Sequence, residues 1–162
     1  MFQNLKKSLV GILSFVLIQT GISAQDSLQY ANEPHFRNIQ QLTFGGDNAE
    51  AYFSFDGKWL VFQKTNPKES IPCDQIYVGK VPTKPGEKFV PQLVSTGKGR
   101  TTCGAFLKDN KHVVYASTHL TDEACPPVPD RAKYGNKYIW PLYPSYDIFV
   151  ADLNGKITKR LT

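Results

Sequence analysis

Hydrophobic positions in this chain fall in short alternating runs separated by turn residues, and two stretches repeat the same pattern. Residues 52–62 (YFSFDGKWLVF) align with residues 105–115 (AFLKDNKHVVY) at a constant offset of 53 residues. In each copy a pair that tolerates positive φ, Asp56-Gly57 or Asp109-Asn110, separates two apolar runs. Such a turn pair between alternating segments predicts a β-hairpin.

Two more apolar runs complete each copy. Residues 75–78 and 147–150 predict a third strand, and residues 90–95 and 156–162 predict a fourth. A leading strand is predicted at 38–43, and no stretch beyond residue 24 has the length and 3.6-residue period of a helix. We therefore predict an all-β fold with two antiparallel four-stranded sheets packed face to face. The residues expected to contribute buried surface are Phe53, Trp59, Val61, Phe106, Val113 and Tyr115.

Four-stranded meanders of this length are typical of the blades of a β-propeller. Blade 1 is expected at about residues 44–95 and blade 2 at about residues 96–162, with an insertion at 119–145. The leading strand would complete the last blade of the ring. Because a propeller needs about four to eight blades, we expect an incomplete ring and further blades beyond Thr162. A two-sheet sandwich is the alternative fold.

The first 24 residues have the pattern of an export signal. Lys6 and Lys7 precede an apolar run at residues 9–18, which is shorter than the roughly 20 residues needed to span a bilayer. Small residues up to Ala24 then suit a signal peptidase. We expect cleavage after Ala24, a linker at residues 25–35 and a periplasmic or secreted protein. A retained membrane anchor is the alternative.

Export changes the interpretation of the three cysteines, because disulfides persist in oxidising compartments. An odd number allows at most one internal bridge. Cys125 lies in a proline-rich stretch from which it can pair with either Cys73 or Cys103, and we take Cys103 with Cys125 as the candidate pair. Free thiols are the alternative, and the spacings match no compact zinc motif.

Several segments resemble the repeats of the TolB-type propellers. They are QLTFGGDNAEAYFSFDGKWLVFQ, DQIYVGKV, VSTGKGRTTCGAF, VVYASTHL and YDIFVADLNGKITKRLT, and the likeness covers residues 36–162. Phe55 stands where the repeat usually has proline, and residues 107–110 depart from the usual hairpin. The resemblance implies an exported propeller that binds partners in the cell envelope, or one that gates a peptidase domain.

Strand direction predicts which loops share a face. Since strands alternate in direction, the loops at 45–50, 65–72, 96–100 and 119–145 are expected at one end of the sheets. The insertion at 119–145 is rich in tyrosine, tryptophan and proline, which suits either a binding surface or packing against the blade. The candidate binding residues on this face are His119, Arg131, Trp140, Tyr143, Asp47, Glu50, Lys98 and Arg100.

Composition and charge narrow the functional classes. The chain is 41% hydrophobic and 20% charged, as in an ordinary globular protein, and its net charge of +5 falls when Lys6 and Lys7 are removed. We therefore expect no nucleic-acid partner, and no membrane span after signal cleavage.

No catalytic or cofactor motif occurs in the sequence. A metal site or proton relay formed by His119, Asp122, Glu123 and Cys125 is weakly indicated, and we expect neither metal nor cofactor. The sequence predicts a non-catalytic module that binds an envelope protein or an extracellular polymer. The alternative is the N-terminal gating propeller of a prolyl oligopeptidase-type serine peptidase.

Overall fold

The computed structural model of the chain describes residues 30, 32–36, 39–84, 86–135 and 137–162. The predicted export signal at 1–24 and the start of the predicted linker lie outside the described residues. The chain divides into two compact units, Met1–Gln40 and Gln41–Thr162. In the first unit, successive turns are closed by backbone N–H groups of Glu33 and Phe36, which donate to the carbonyl oxygens of Tyr30 and Glu33.

The second unit contains two antiparallel four-stranded sheets, each connected as a simple meander. Sheet 1 has the order β1 (Asp47–Phe53), β2 (Trp59–Asn66), β3 (Ile71–Lys80) and β4 (Gln92–Leu93). Sheet 2 has the order β5 (Thr101–Phe106), β6 (His112–Ser117), β7 (Asp147–Asp152) and β8 (Ile157–Arg160). The prediction of an all-β fold with two such sheets is confirmed. In the part of the chain that the structure describes, no helix is long and apolar enough to cross a membrane.

Both predicted hairpin turns are confirmed. Gly57 and Asn110 adopt positive φ, +69° and +56°, which glycine and asparagine tolerate best. In the first turn the backbone N–H groups of Lys58 and Trp59 donate to Ser54 Oγ. In the second, Asp109 Oδ1 accepts from the backbone N–H of Lys111 at 2.9 Å. Polar side chains therefore satisfy the backbone groups that each turn leaves outside the ladder.

The hydrophobic core lies between the two sheets. Its buried members alternate along the strands. They are Val61, Ile76 and Val78 from sheet 1, Val94 directly after β4, and Phe106, Val113, Tyr115, Phe149 and Ala151 from sheet 2. Burial of each of the larger apolar side chains stabilises the fold by about 1.5–3 kcal/mol. The expected burial of Val61, Phe106, Val113 and Tyr115 is confirmed, and Trp59 is partly buried against the same core.

The expected burial of Phe53 is wrong. Phe53 is 63% exposed and lies opposite Leu60 in the ladder between β1 and β2. Successive side chains of a strand point to opposite faces, so Leu60 and Phe53 share one face while Val61 points to the other. Val61 is the residue that belongs to the core between the sheets. Phe53 therefore lies on the face of sheet 1 that is turned away from sheet 2.

The predicted leading strand is also wrong over its described part, residues 39–43, which form no strand. Asn38 lies outside the described residues. A strand needs a neighbour to pair with its backbone groups, and the residues that the structure describes provide none for this segment. Leu42 and Thr43 instead line a groove beside Ala49 and Leu60 of sheet 1.

Candidate functional site

The insertion at residues 119–145 joins β6 to β7 and is tied to sheet 1 by a disulfide. Cys125 is bonded to Cys73 of β3, with the Cα atoms 6.0 Å apart. The candidate pair of Cys103 with Cys125 is therefore wrong. Cys103 is a free, exposed thiol at a bulge of β5, where its backbone N–H donates to Gln63 Oε1 at 2.7 Å.

A second tether links the insertion to the loop between the sheets. Lys98 Nζ lies 2.5 Å from Glu123 Oε1, and the backbone N–H of Gly99 donates to the carbonyl oxygen of Glu123 at 2.8 Å. Gly99 has φ of +60°, and a Cβ there would lie 2.7 Å from the backbone nitrogen of His119. The close approach of the two loops therefore requires glycine at this position.

Arg100 forms an ion pair in the seam between the sheets. Its Nη1 donates to Asp74 Oδ2 at 2.8 Å, and Thr65 Oγ1 donates to Asp74 Oδ1 at 2.6 Å. Both charged side chains are largely shielded from solvent. Arg100 was predicted to bind a ligand. In the structure its guanidinium instead helps to hold β2, β3 and the start of β5 together.

His119 supports the base of the insertion. Its ring packs on Phe149 with centroids 4.5 Å apart, and Nδ1 lies 2.8 Å from Ser117 Oγ. Burial lowers the pKa of the His119 imidazole below its usual value, so the neutral ring is favoured at neutral pH. The Ser117 side chain is buried, whereas His119 is half-buried.

The exposed part of the insertion carries a cluster that we call the aromatic platform, made of Arg131, Tyr138 and Trp140. Trp140 Nε1 donates to the Tyr138 hydroxyl at 2.5 Å, and the two ring centroids are 6.4 Å apart. The Arg131 guanidinium lies 5.3 Å from the Tyr138 ring centroid, within cation–π range. Tyr138 and Trp140 are 74% and 71% exposed, so their rings are available to a partner.

Two other tyrosines of this region pack instead. Tyr143 OH donates to the carbonyl oxygen of Pro127 at 2.9 Å, and the Tyr143 and Tyr146 rings have centroids 6.0 Å apart. Burial raises the pKa of Tyr146. The two interpretations of the aromatic residues thus apply to different members: Tyr143 and Tyr146 brace the insertion, while Tyr138 and Trp140 lie open.

The remaining candidates lie on β1. Asp47 begins β1 opposite Thr65, and Glu50 occupies its bulge with φ of +49°. Cys103 holds the corresponding bulge of β5 with φ of +55°. The structure therefore places Asp47 and Glu50 in the sheet edge, and no contact joins them to the aromatic platform among the described residues.

The candidate list missed residues that only their contacts reveal. Asp74 is the ion-pair partner of Arg100, and no sequence pattern marks this long-range pair. Glu123, named from the sequence only for a metal site or proton relay, pairs with Lys98 instead. Tyr138, in contrast, alternates with Trp140 in the insertion, and this spacing could have identified it.

No protein-family model matches the chain, and no curated protein matches it either. Within the described ranges, no group of three His, Cys, Asp or Glu side chains is arranged to hold a metal ion. Cys125 is consumed by the disulfide, so it is not available beside His119 as a ligand. The chemistry that the arrangement offers is ring stacking with a neighbouring positive charge.

Proposed function

We propose that this chain is an exported, non-catalytic propeller module, similar to the TolB-type repeats, that binds an envelope protein or an extracellular polymer through the aromatic platform. The observation that carries the proposal is the exposure of Tyr138 and Trp140 on an insertion held at its base. Contiguous apolar surface of this kind, rimmed by polar groups, is characteristic of interaction sites.

The support for a propeller comes from the sheets themselves. Both are four-stranded meanders with the same bulge in the first strand, after Ala49 in β1 and after Thr102 in β5. They pack face to face through alternating apolar residues. Repetition of one meander in this manner is the construction principle of propeller blades.

Tethering supports a binding role because it reduces the entropy that a surface loses when it engages a ligand. The disulfide at Cys125 fixes the first half of the insertion to β3. The hydrogen bond from Tyr143 to Pro127 joins the second half to the first. Asp130 caps the short turn that carries Arg131, since its carboxylate accepts from the backbone N–H of Ala132.

The disulfide also supports export. Structural disulfides form and persist in the periplasm and outside the cell, and they are rare in the cytosol. A bond that joins an insertion to the sheet beside it would be reduced in a cytosolic environment. The proposed location is therefore the periplasm or the extracellular space.

The side chains of the aromatic platform indicate which kind of ligand it would bind. Flat aromatic faces pack against the apolar faces of sugar rings or against proline rings, and the Arg131 guanidinium adds an anchor for carboxylate or phosphate. Large aromatic and arginine side chains are also those that dominate binding energy at protein interfaces. A polysaccharide with acidic groups and a peptide with acidic residues both fit this surface.

The experiment compares Trp140→Ala and Tyr138→Ala with Phe55→Ala, an exposed aromatic of the first hairpin turn. Binding is measured by co-sedimentation with insoluble cell-wall glycan and by pull-down of envelope proteins, each at a fixed chain concentration. We expect the two platform variants to lose about 2 kcal/mol of affinity, roughly 30-fold. Phe55→Ala should bind like the unmodified chain, and melting temperatures should agree for all four proteins.

Retention of every partner by both platform variants would refute the proposal. A Tyr143→Ala variant distinguishes a structural role from direct contact with the ligand. Removal of the Tyr143 side chain should lower the melting temperature, while the folded variant should bind with nearly unchanged affinity. Equal loss of binding in Phe55→Ala and Trp140→Ala would show that binding does not depend specifically on the aromatic platform.

A further inference from the structure

Four turns gather at one end of the two sheets, opposite the end from which the insertion leaves. Neighbouring strands of a meander run in opposite directions, so the first and third connections of each sheet emerge at the same end. These connections are residues 54–58, 80–91, 107–111 and 152–156. We call them together the turn face.

Hydrogen bonds between the two sheets hold the turn face together. The backbone N–H of Asp56 in the first hairpin turn donates to Asn110 Oδ1 in the second, at 3.1 Å. Gln92 Nε2, at the start of β4, donates to the carbonyl oxygen of Leu153 in the last turn at 2.6 Å. The turns of both sheets therefore form one surface.

The turn face carries the whole net positive charge of the chain beyond the predicted export signal. It has seven lysines against four carboxylates, a net charge of +3, whereas the rest of the sequence after residue 24 has ten Lys or Arg and ten Asp or Glu. Charge gathered at one end in this way produces a positive potential that attracts anionic partners. The seven lysines are all exposed, and they are Lys58, Lys80, Lys84, Lys88, Lys108, Lys111 and Lys156.

The carboxylates of the turn face are engaged by the backbone and leave most of the lysines without an ion pair. Each carboxylate accepts hydrogen bonds from backbone N–H groups of its own turn, a common arrangement in tight turns. Lys58 Nζ lies 3.6 Å from an Asp56 oxygen, and no other lysine of the face pairs with a carboxylate of the described residues. The four carboxylates are those of Asp56, Glu87, Asp109 and Asp152.

Cations at the opposite end of the sheets are arranged differently. Four of them have a carboxylate oxygen within 2.8 Å, and they are Lys64, Lys98, Arg100 and Arg160. Their charge is neutralised locally, so the ammonium groups of the turn face are the larger cluster that remains available to an external anion.

The composition of the turn face favours an extended anionic surface as the partner. All of its cations are lysines, whose compact ammonium groups act as point charges. Arginine, which binds single phosphates or carboxylates with a planar fork, is absent from these four turns. Each lysine close to a surface of anionic lipids strengthens binding about five-fold.

Exposed apolar side chains lie among these lysines. Phe55 in the first turn is 65% exposed, and Val90 near the end of the connection at 80–91 is 73% exposed. An apolar side chain flanked by lysines is able to enter the boundary between lipid headgroups and acyl chains. A dissolved polyanion offers no such apolar environment, so the combination favours a bilayer surface.

We propose that the turn face docks on an anionic membrane surface, with Phe55 inserted among the headgroups and the lysines on the lipid phosphates. The contact is peripheral and needs no membrane-spanning segment. Because the insertion leaves from the opposite end of the sheets, docking directs the base of the insertion away from the bilayer. The lipid contact and the ligand of the aromatic platform therefore use separate surfaces.

Co-sedimentation with large vesicles tests the proposal on the full chain, expressed for export and purified from the soluble fraction. Vesicles of phosphatidylglycerol and phosphatidylcholine in equal parts should bind the chain, and vesicles of phosphatidylcholine alone should not. Binding should be lost between about 0.1 M and about 1 M salt, because the screening length falls from about 10 Å to about 3 Å.

Paired substitutions separate the turn face from the total charge of the chain. Lys84→Glu combined with Lys88→Glu should weaken binding to the mixed vesicles by at least about 30-fold. Lys133→Glu combined with Lys137→Glu, at two exposed lysines of the insertion, makes the same change in net charge and should bind like the unmodified chain. Circular dichroism checks that each variant is folded.

A second pair and one apolar substitution extend the test. Lys108→Glu combined with Lys111→Glu should weaken vesicle binding as strongly as the first pair, since these lysines lie on the same face in the other sheet. Phe55→Ala should weaken vesicle binding by at least about 10-fold and leave binding to dissolved polyphosphate unchanged.

Three results would overturn the proposal. The first is equal binding to the two kinds of vesicle, and the second is equal binding by the turn-face pairs and the insertion pair. The third is unchanged vesicle binding by Phe55→Ala together with tighter binding to dissolved polyphosphate than to vesicles, which would assign the lysines to a soluble polyanion. None of these measurements depends on the aromatic platform, so the two proposals fail separately.

Discussion

Tyr115 is a single residue that is buried although its hydroxyl group forms no hydrogen bond with the described residues. The side chain is almost completely buried between the sheets and stacks near Phe149, with ring centroids 6.1 Å apart. Its hydroxyl has no hydrogen-bond partner among the described residues. Burial raises the pKa of the phenol to about 12, since the charged form is disfavoured in this environment.

Tyr115→Phe should therefore raise the free energy of unfolding, by about 1 kcal/mol. The reason is that phenylalanine keeps the ring contacts and removes a polar group that is buried without a partner. Urea denaturation of the variant gives the measurement, with Tyr134→Phe, an exposed tyrosine, as the control. A loss of stability in Tyr115→Phe would mean that the hydroxyl makes a hydrogen bond in solution.

At the scale of the secondary-structure elements, β5 governs how closely the sheets pack. A Cβ at Gly104 would lie 3.0 Å from Val61 Cγ2 and 3.1 Å from Ile76 Cγ2, so a methyl group there requires these side chains to move by a few tenths of an ångström. Its neighbour Phe106 fills the core on the same side of the strand. A small residue beside a large one lets the two sheets interdigitate, which is the usual way that packed layers reach native density.

Gly104→Ala should lower the free energy of unfolding by about 1–3 kcal/mol, because the added methyl forces Val61 or Ile76 from its position. Ala51→Val is the matched control. It adds more volume at the corresponding residue of β1, which is exposed, and should leave stability nearly unchanged. Thermal unfolding followed by circular dichroism gives both values, and equal effects for the two variants would contradict the assigned packing.

At the scale of the whole molecule, the disulfide couples the insertion to a distant strand. It joins residues separated by 52 positions in the chain, and it lies beside the loop at 96–100 that also binds Glu123. The aromatic platform consequently depends on contacts made far from its own rings.

Cys73→Ser combined with Cys125→Ser should lower stability by about 2–4 kcal/mol and make the insertion sensitive to limited proteolysis. Cys103→Ser removes the exposed free thiol and should change neither property. Peptide mapping under non-reducing conditions should recover one linked pair, with only Cys103 alkylated. A linked peptide that contains Cys103 would contradict the assigned bond.

The sequence by itself determined the features that depend on neighbouring residues. Alternation of apolar and polar positions and the turn pairs Asp56-Gly57 and Asp109-Asn110 specify strands and hairpins, because backbone preference acts over a few residues. The same alternation correctly predicts that Val61, Val113 and Tyr115 are buried. The repeat then predicts that both sheets have the same order of strands.

Only the tertiary structure decided which partner each local element meets. Alternation tells which residues share a face, but not which face a second sheet covers, so Phe53 is exposed although its counterpart Phe106 is buried. Cys125 pairs with Cys73 because the insertion returns to β3, a contact that spacing does not encode. Tyr138 and Trp140 remain open while Tyr143 packs. In each case the physical reason is the same: long-range packing chooses among arrangements that local preferences leave equal.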